Sequence, residues 1–189
     1  MDIEKYINIY DNKLSLEVIS SIIKWCNKSS FQPGTVGKGD LIKDIRDTQI
    51  LHLLNWEDNS KTKIHWCNFL YRFFIEHFLI YCKNNYTLNN DDIINGIEDI
   101  SILKYQEGGK YRPHIDSFKT IPRTLSAILL LNNEYEGGKL KFFYPSGELM
   151  KEIKPTPGRL IIWPSNFMYP HAVEPVKKGI RYSVVSWAL

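Results

Sequence analysis

The second half of the sequence, from about residue 97, is a series of short apolar runs separated by turn residues. The runs are rich in Ile, Leu, Val and aromatic residues, and clusters such as "PSG", "PTPG" and "KKG" stand between them. This alternation is typical of strands joined by tight turns. It predicts eight strands, at 97–105, 111–116, 124–131, 139–144, 148–153, 159–163, 170–176 and 180–188.

Eight strands preceded by helical patterns favour a jelly-roll, also called a double-stranded β-helix, in which two wrapped sheets leave few free edges. The predicted fold class is therefore mainly β with N-terminal helices. The run "TLSAILLL" is continuously apolar, and we expect it to be the most buried strand.

The first half carries helical periodicity. Ser15 can cap a helix that ends near Lys28, and residues 61–83 form a longer apolar pattern with helical spacing. Between them, residues 29–40 are rich in Gly, Pro and Ser, which predicts a loop with the potential to close over a site.

Composition is that of an ordered globular chain. At 189 residues and 43% hydrophobic, we expect one domain over 1–189, with mostly helical support and loop in 1–96 and a catalytic core in 97–189. A net charge of +3, evenly spread, gives no argument for nucleic acid or membrane as a partner. The N-terminal stretch lacks a basic segment followed by an apolar one, so a cytoplasmic location is the expectation.

Cys26, Cys67 and Cys82 are odd in number and lie within apolar patterns, which indicates reduced packing residues. The alternative is a zinc cluster of His65, Cys67 and Cys82, but no C-x-x-C pair supports it. Three histidines in or beside helical patterns are assigned no chemistry: His52, His65 and His77.

A metal site is predicted from the segment "KYRPHIDSF". His114 and Asp116 are two residues apart, so on a strand their side chains would point to the same face. His171 is the only histidine downstream, and it lies in another predicted strand. Two histidines and one carboxylate on one face of an octahedral ion form the ligand set of non-haem Fe(II) oxygenases.

Such a site leaves coordination positions for 2-oxoglutarate, whose distal carboxylate needs a cation. Arg181, ten residues after His171, is the candidate because a guanidinium holds a carboxylate in a planar fork. The alternative is that Arg181 is only the basic end of the "KKGIR" turn.

Four segments together resemble the prolyl 4-hydroxylase-like Fe(II)/2-oxoglutarate dioxygenases in order and approximate spacing. They are "YQEGGKYRPHID", "EGGKLKF", "PGRLIIW" and "PHAVEPVKKGIRYSVVSW". The resemblance covers roughly residues 97 to 189. Many prolyl 4-hydroxylases carry lysine where this chain has Arg181, so the subfamily and its substrate stay open.

The resemblance implies Fe(II), the co-substrate 2-oxoglutarate, O2 and ascorbate as cofactors. It implies that His114, Asp116 and His171 bind the iron and that Arg181 and Tyr105 bind the distal carboxylate. Ser126 and Trp187 occupy positions that relatives use near the co-substrate. Tyr111 could face the site, whereas Trp163 and Trp187 could equally fill the core.

The implied activity is hydroxylation of an unactivated C–H bond, with succinate and CO2 as co-products. Proline within a peptide or protein is the first substrate class. A free amino acid or other small molecule is the second, and oxidative demethylation of nucleic acid is a third that the charge distribution does not favour. Outside redox chemistry, a cupin-like binding module or a zinc hydrolase could use the same three ligands, although neither needs Arg181.

Overall fold

The two helices lie in the first half of the chain. The computed structural model describes residues 2–36, 39–54, 60–86, 94–120 and 122–189. A short 3-10 helix spans Glu4–Tyr6, α1 spans Leu16–Cys26, and α2 spans Lys61–Asn85. The Ser15 hydroxyl accepts a hydrogen bond from the Val18 amide at 3.4 Å and so caps α1. Within the described residues, no helix is long and apolar enough to cross a membrane.

The rest of the fold is antiparallel β-structure. The first half contributes four short strands: β1 (Asn8–Tyr10), β2 (Gln32–Pro33), β3 (Arg46–Asp47) and β4 (Gln49–His52). The second half contributes the remaining strands: β5 (Ile97–Tyr105), β6 (Lys110–His114), β7 (Leu125–Leu130), β8 (Tyr135–Gly137), β9 (Leu140–Phe143), β10 (Leu149–Ile153), β11 (Leu160–Pro164), β12 (His171–Val173), β13 (Val176–Gly179) and β14 (Arg181–Ala188).

These strands form two main sheets that fit a jelly-roll core. The large sheet has the order β1-β11-β7-β14-β5-β4-β2, and the small sheet has the order β10-β9-β12-β6-β3. A separate pair joins β13 to β8. Neighbours in both main sheets are often distant in sequence, as expected for a jelly-roll.

The predicted strands agree with the observed ones apart from three differences. The strand predicted at 111–116 ends at His114, and Asp116 lies in the following bend. The strand predicted at 170–176 ends at Val173 as β12, because proline at position 175 cannot donate to a ladder, and β13 runs from Val176 to Gly179 through the turn predicted at "KKG". Residues 135–137, predicted as part of a turn, form β8.

Besides its helices, the first half of the chain contributes strands that extend the large sheet at both sides. β1 pairs with β11, while β4 pairs with β5 and β2 pairs with β4. The predicted 29–40 loop therefore includes a strand at Gln32–Pro33, and positions 37 and 38 lie outside the described residues.

Alternation along the strands divides the apolar residues into two clusters. On β14, Tyr182 and Val184 pack with α1 and α2 on the outer face of the large sheet. Val185 belongs to a second cluster between the large and small sheets. All six residues of β7 are buried, as predicted for the continuous apolar run. The space between the sheets is therefore closed on one side by a sheet that the helices cover.

The cysteines are packing residues. All three are free and buried, and they lie in the cluster between the helices and the large sheet. Burial raises the pKa of Cys26 to about 12 and that of Cys82 to about 11. Among the described residues, His65, Cys67 and Cys82 do not form a group that could hold a metal.

Candidate metal centre

His114 and His171 face each other across two neighbouring strands. β6 and β12 pair antiparallel, and the register places His171 directly opposite His114. Residues opposite each other in a pair project to the same side of the sheet. The two imidazole rings accordingly lie 4.3 Å apart between their centroids.

Asp116 completes the group from the bend that follows β6. Its Oδ1 lies 3.7 Å from Nε2 of His114, and its Oδ2 lies 3.5 Å from Nε2 of His171. Atoms that share one ion at about 2.1 Å each can be no more than about 4.2 Å apart, so both separations fit a common ion. This is the one such group of His, Cys, Asp or Glu side chains within the described residues.

Backbone carbonyls fix the tautomer of both rings. Nδ1 of His114 lies 2.9 Å from the carbonyl oxygen of Arg112, and Nδ1 of His171 lies 3.2 Å from that of Tyr169. A carbonyl oxygen only accepts, so Nδ1 must carry the hydrogen in each ring. The lone pairs are therefore on the Nε2 atoms that face Asp116, as in metal-binding histidines.

The protonation states also suit a cation. Burial, with a smaller contribution from His171, lowers the pKa of His114 to about 3, so this ring is neutral at pH 7. Burial acts to raise the pKa of Asp116, but His171, His114 and a hydrogen bond from Ser126 together hold it below its ordinary value. The group thus offers an ionised carboxylate and a neutral imidazole.

Two serines and an arginine hold Asp116 in place. The Ser126 hydroxyl donates to Oδ2 of Asp116 at 2.7 Å, and the Ser165 hydroxyl lies 2.7 Å from that of Ser126. Nη1 of Arg123 donates to the Asp116 carbonyl oxygen at 3.3 Å. Ser126, predicted near the co-substrate, therefore lies against the carboxylate of the metal group.

Aromatic stacking supports His114 from its other side. The Tyr111 ring stacks on the His114 ring with centroids 3.5 Å apart, so Tyr111 does face the site. The Arg46 guanidinium in turn lies 4.7 Å from the centroid of Tyr111. Stacking of this kind limits the rotation of an imidazole that must point at an ion.

The metal group lines a cavity of about 250 Å³ between the sheets. One strand, β5, runs along its wall and contributes Asp99, Ser101, Leu103 and Tyr105 in that order. Alternate residues of a strand share a face at roughly 6.6 Å intervals, so these four side chains span about 20 Å. The cavity therefore has a Tyr105 end and an Asp99 end.

A buried guanidinium lies beside the Tyr105 end. Arg181 is opposite Tyr105 in the strand register, is fully buried, and has its Cζ 5.2 Å from the Tyr105 ring centroid. Its Nη1 donates to the Ser183 hydroxyl at 2.9 Å. Nε and Nη2, which form the opposite edge of the guanidinium, have no hydrogen-bond partner in the described part of the chain. Buried donors of this kind are costly unless an acceptor binds them, which indicates an anion site.

The two tryptophans differ in their surroundings. Trp163 is buried, contacts Phe142 edge-on with centroids 5.0 Å apart, and also lines the cavity beside His171, with centroids 4.9 Å apart. Trp187 lines the cavity, and the Arg123 guanidinium lies 3.9 Å above its ring. Arg123 also pairs with Glu98 and thereby joins β5 to the segment after Asp116.

His52 is a cavity residue that sequence reasoning assigned no chemistry. It lies on β4, and its Nδ1 is 2.8 Å from Oδ2 of Asp99. The short strands of the first half carried no periodic signal, so no pattern in the sequence could have placed His52 or Arg46 at the cavity. His77, by contrast, is a buried helix residue whose Nδ1 contacts the Phe73 carbonyl oxygen at 2.7 Å.

Comparisons with known proteins relate the second half of the chain to one superfamily. Residues 100–189 match the model of the 2OG-Fe(II) oxygenase superfamily. A PKHD-type hydroxylase of Synechococcus sp. (strain JA-2-3B'a(2-13)) is 36% identical over 99 residues, which cover 48% of this chain and 42% of that relative. The aligned part thus spans less than half of that relative's length.

Solved structures show that the whole described fold is shared. A prolyl-4-hydroxylase of Pseudomonas putida matches with a TM-score of 0.72 at 19% identity, covering 97% of this chain and 92% of that one. A prolyl hydroxylase from Trichoplax adhaerens, in complex with a peptide of hypoxia inducible factor, matches with a TM-score of 0.75 at 20% identity, covering 100% and 87%. At these identities the likeness concerns the fold.

Proposed function

We propose that this chain, which belongs to the 2OG-Fe(II) oxygenase superfamily through residues 100–189, hydroxylates an unactivated C–H bond, with proline in a peptide as the substrate. The observation that carries the proposal is the unpaired edge of Arg181, which lies beside Tyr105, a residue that lines one end of the cavity containing the His–Asp–His group. Bound Fe(II), with 2-oxoglutarate and O2, supplies the oxidising chemistry that converts C–H to C–OH and releases succinate and CO2.

In this proposal His114, Asp116 and His171 hold the iron. Their donor set, a carboxylate and two Nε2 lone pairs, matches the facial set that leaves other coordination positions open. Ser126 and Arg123 keep Asp116 in place through its carboxylate and its carbonyl. Such support matters because loss of an outer partner typically costs metal sites about 10- to 100-fold in affinity or activity.

Arg181 and Tyr105 bind the distal carboxylate of 2-oxoglutarate. The free Nε and Nη2 hydrogens of a guanidinium are parallel and match the two oxygens of a carboxylate. Tyr105, adjacent to the guanidinium, is placed to add a hydrogen bond to the same carboxylate. A zinc hydrolase or a cupin-like binding module has no use for this buried cation.

The cavity walls limit access of water to the reacting atoms. Leu103, Ile128 and Val185 line the cavity and are buried between the sheets. Trp187 lines the wall beside Arg123, toward the Asp99 end of the cavity. A water-poor pocket keeps the oxidant from reactions other than that with the substrate. Residues 29–40 remain a candidate cover for the opening.

Two observations support a peptidyl-proline substrate. The fold is shared with prolyl hydroxylases, and one of those structures is in complex with a peptide of hypoxia inducible factor. The small cavity also favours a second candidate, a free amino acid, because about 250 Å³ suits one residue together with the co-substrate. Both candidates use the same iron and co-substrate residues.

The test is turnover with Fe(II), 2-oxoglutarate, O2 and ascorbate, with a panel of proline-containing peptides and a panel of free amino acids. Products carrying one added oxygen are detected by mass spectrometry, and succinate is measured in parallel. Oxidised proline in peptides supports the first candidate, and oxidation of a free amino acid supports the second. No added oxygen in either panel, from protein that binds the metal and 2-oxoglutarate, would overturn both.

A further inference from the structure

His52, Asp99 and Ser101 form a pre-organised group at the end of the cavity remote from Arg181. Ser101 lies opposite His52 across the β4–β5 pair. The Ser101 hydroxyl donates to Oδ2 of Asp99 at 2.6 Å, and the Ile100 amide donates to Oδ1 of Asp99 at 2.8 Å. All three side chains line the same cavity as the metal group.

The hydrogen bonds fix which nitrogen of His52 carries the hydrogen. Nδ1 lies 2.8 Å from Oδ2 of Asp99 and 2.9 Å from the Ser101 hydroxyl oxygen. The single hydrogen of that hydroxyl is already donated to Asp99, so both oxygens act as acceptors toward Nδ1. In the neutral ring the hydrogen is therefore on Nδ1, and Nε2 presents a lone pair. The His52 side chain is 47% exposed, so Nε2 remains within reach of a ligand.

We propose that this group is a substrate-recognition subsite in which Nε2 of His52 accepts a hydrogen bond from a backbone N–H of a bound peptide. The inference rests on the proposed function and adds the residue that selects the substrate. The co-substrate anchor, Arg181, is opposite Tyr105, four residues along β5 from Ser101 and about 13 Å away. The metal group shares the cavity, which leaves the His52 end for the primary substrate.

The charges at the His52 end of the cavity also favour a substrate group that donates a hydrogen bond over one that accepts it. Hydrogen bonds from His52 and Ser101 lower the pKa of Asp99 although burial acts to raise it, so Asp99 is ionised. Glu98 adds a second carboxylate, and Arg123 balances one of the two. A peptide N–H meets this negative environment favourably, whereas a free carboxylate does not.

The experiment measures peptide binding apart from catalysis. Fluorescein-labelled proline-containing peptides are titrated by anisotropy with the full chain carrying Mn(II) and 2-oxoglutarate, so that no oxidation proceeds. His52→Phe keeps a ring of similar shape and removes Nε2, and we expect it to weaken binding roughly 5- to 10-fold, as for one lost hydrogen bond. 2-Oxoglutarate affinity should stay unchanged. The matched control is His65→Phe, an exposed histidine on α2.

Peptides that are N-methylated one residue at a time identify the partner of His52. Methylation at one peptide position should weaken binding to the wild type. The same methylated peptide should bind His52→Phe as well as the unmethylated peptide does, as expected for partners in a double-mutant cycle. Equal binding by wild type and His52→Phe overturns the subsite while the proposed function stands. Failure of every peptide to bind overturns the assignment to peptides. Peptide binding that depends on His52 without hydroxylation supports the subsite and contradicts the proposed function.

Discussion

Replacing Arg181 is expected to weaken co-substrate binding and to stabilise the protein that lacks co-substrate. The guanidinium is fully buried, its Nη1 donates to Ser183, and Nε and Nη2 have no hydrogen-bond partner in the described residues. Without an anion its charge is poorly compensated. Replacing buried ionic groups by apolar side chains of similar size often stabilises proteins by about 1–4 kcal/mol. Arg181→Met keeps the unbranched length and removes the charge.

The loss in affinity follows from two charge-assisted hydrogen bonds. Each contributes about 1.5–3 kcal/mol, so the loss of the bonds from Nε and Nη2 amounts to about 3–6 kcal/mol. At 1.4 kcal/mol for each factor of ten, the Kd for 2-oxoglutarate should rise roughly 100- to 10,000-fold.

Calorimetric titration with Mn(II) present measures the Kd for 2-oxoglutarate. Thermal unfolding with and without 2-oxoglutarate measures stability. Saturating co-substrate should raise the Tm of the wild type and leave that of Arg181→Met unchanged. The control is Arg72→Leu, which removes an exposed arginine on α2 and should change neither quantity. If Arg181→Met bound 2-oxoglutarate with wild-type affinity, the role of Arg181 in binding the carboxylate would be refuted. If Arg181→Met had a lower Tm than the wild type without co-substrate, the claim that the Arg181 charge is poorly compensated would be refuted.

Three further outcomes are expected. Asp116→Ala should abolish turnover and reduce retained metal after dialysis, measured by elemental analysis; an active variant would refute the ligand assignment. Gly138→Ala should raise the Kd for 2-oxoglutarate several-fold, because φ at Gly138 is +58° and an added Cβ would lie 3.2 Å from Cδ of Arg181. An unchanged Kd in calorimetric titration would contradict this. The pKa of Asp99 is lowered in the folded state, so ionised Asp99 stabilises the fold above about pH 4, and this stabilisation is lost as the pH falls through the folded-state pKa. The unfolding free energies of wild type and Asp99→Asn should therefore converge on acidification. A difference that stays constant with pH in denaturant titrations would contradict this.

Local sequence was enough to predict the strands that carry the metal group. Turn residues separate the runs of the second half, so strand positions follow from short-range chemistry alone. The grouping of His114 and Asp116 followed from their spacing, and His171 was the one histidine available downstream. The structure brings these three side chains together, with Asp116 reaching the group from a bend.

Features that depend on distant pairing could not be predicted in this way. β1 to β4 have two to four residues each, too few to show a period of two, and they extend the sheets at the edges of β5, β6 and β11. His52 and Arg46 reach the cavity through these strands. Likewise, Ser126 lies against Asp116 because the fold brings β7 next to the bend after β6, which no local pattern predicts.

The strands that the first half adds to the large sheet have a consequence for any shortened form of this chain. A fragment limited to residues 100–189, the part that matches the superfamily, would lose β1 and β4 and leave the edges of β11 and β5 bare. It would also uncover the apolar face on which α1 and α2 pack. Bare edges and an uncovered face promote aggregation, so the half that holds the reactive groups depends on the other half to stay free of aggregation.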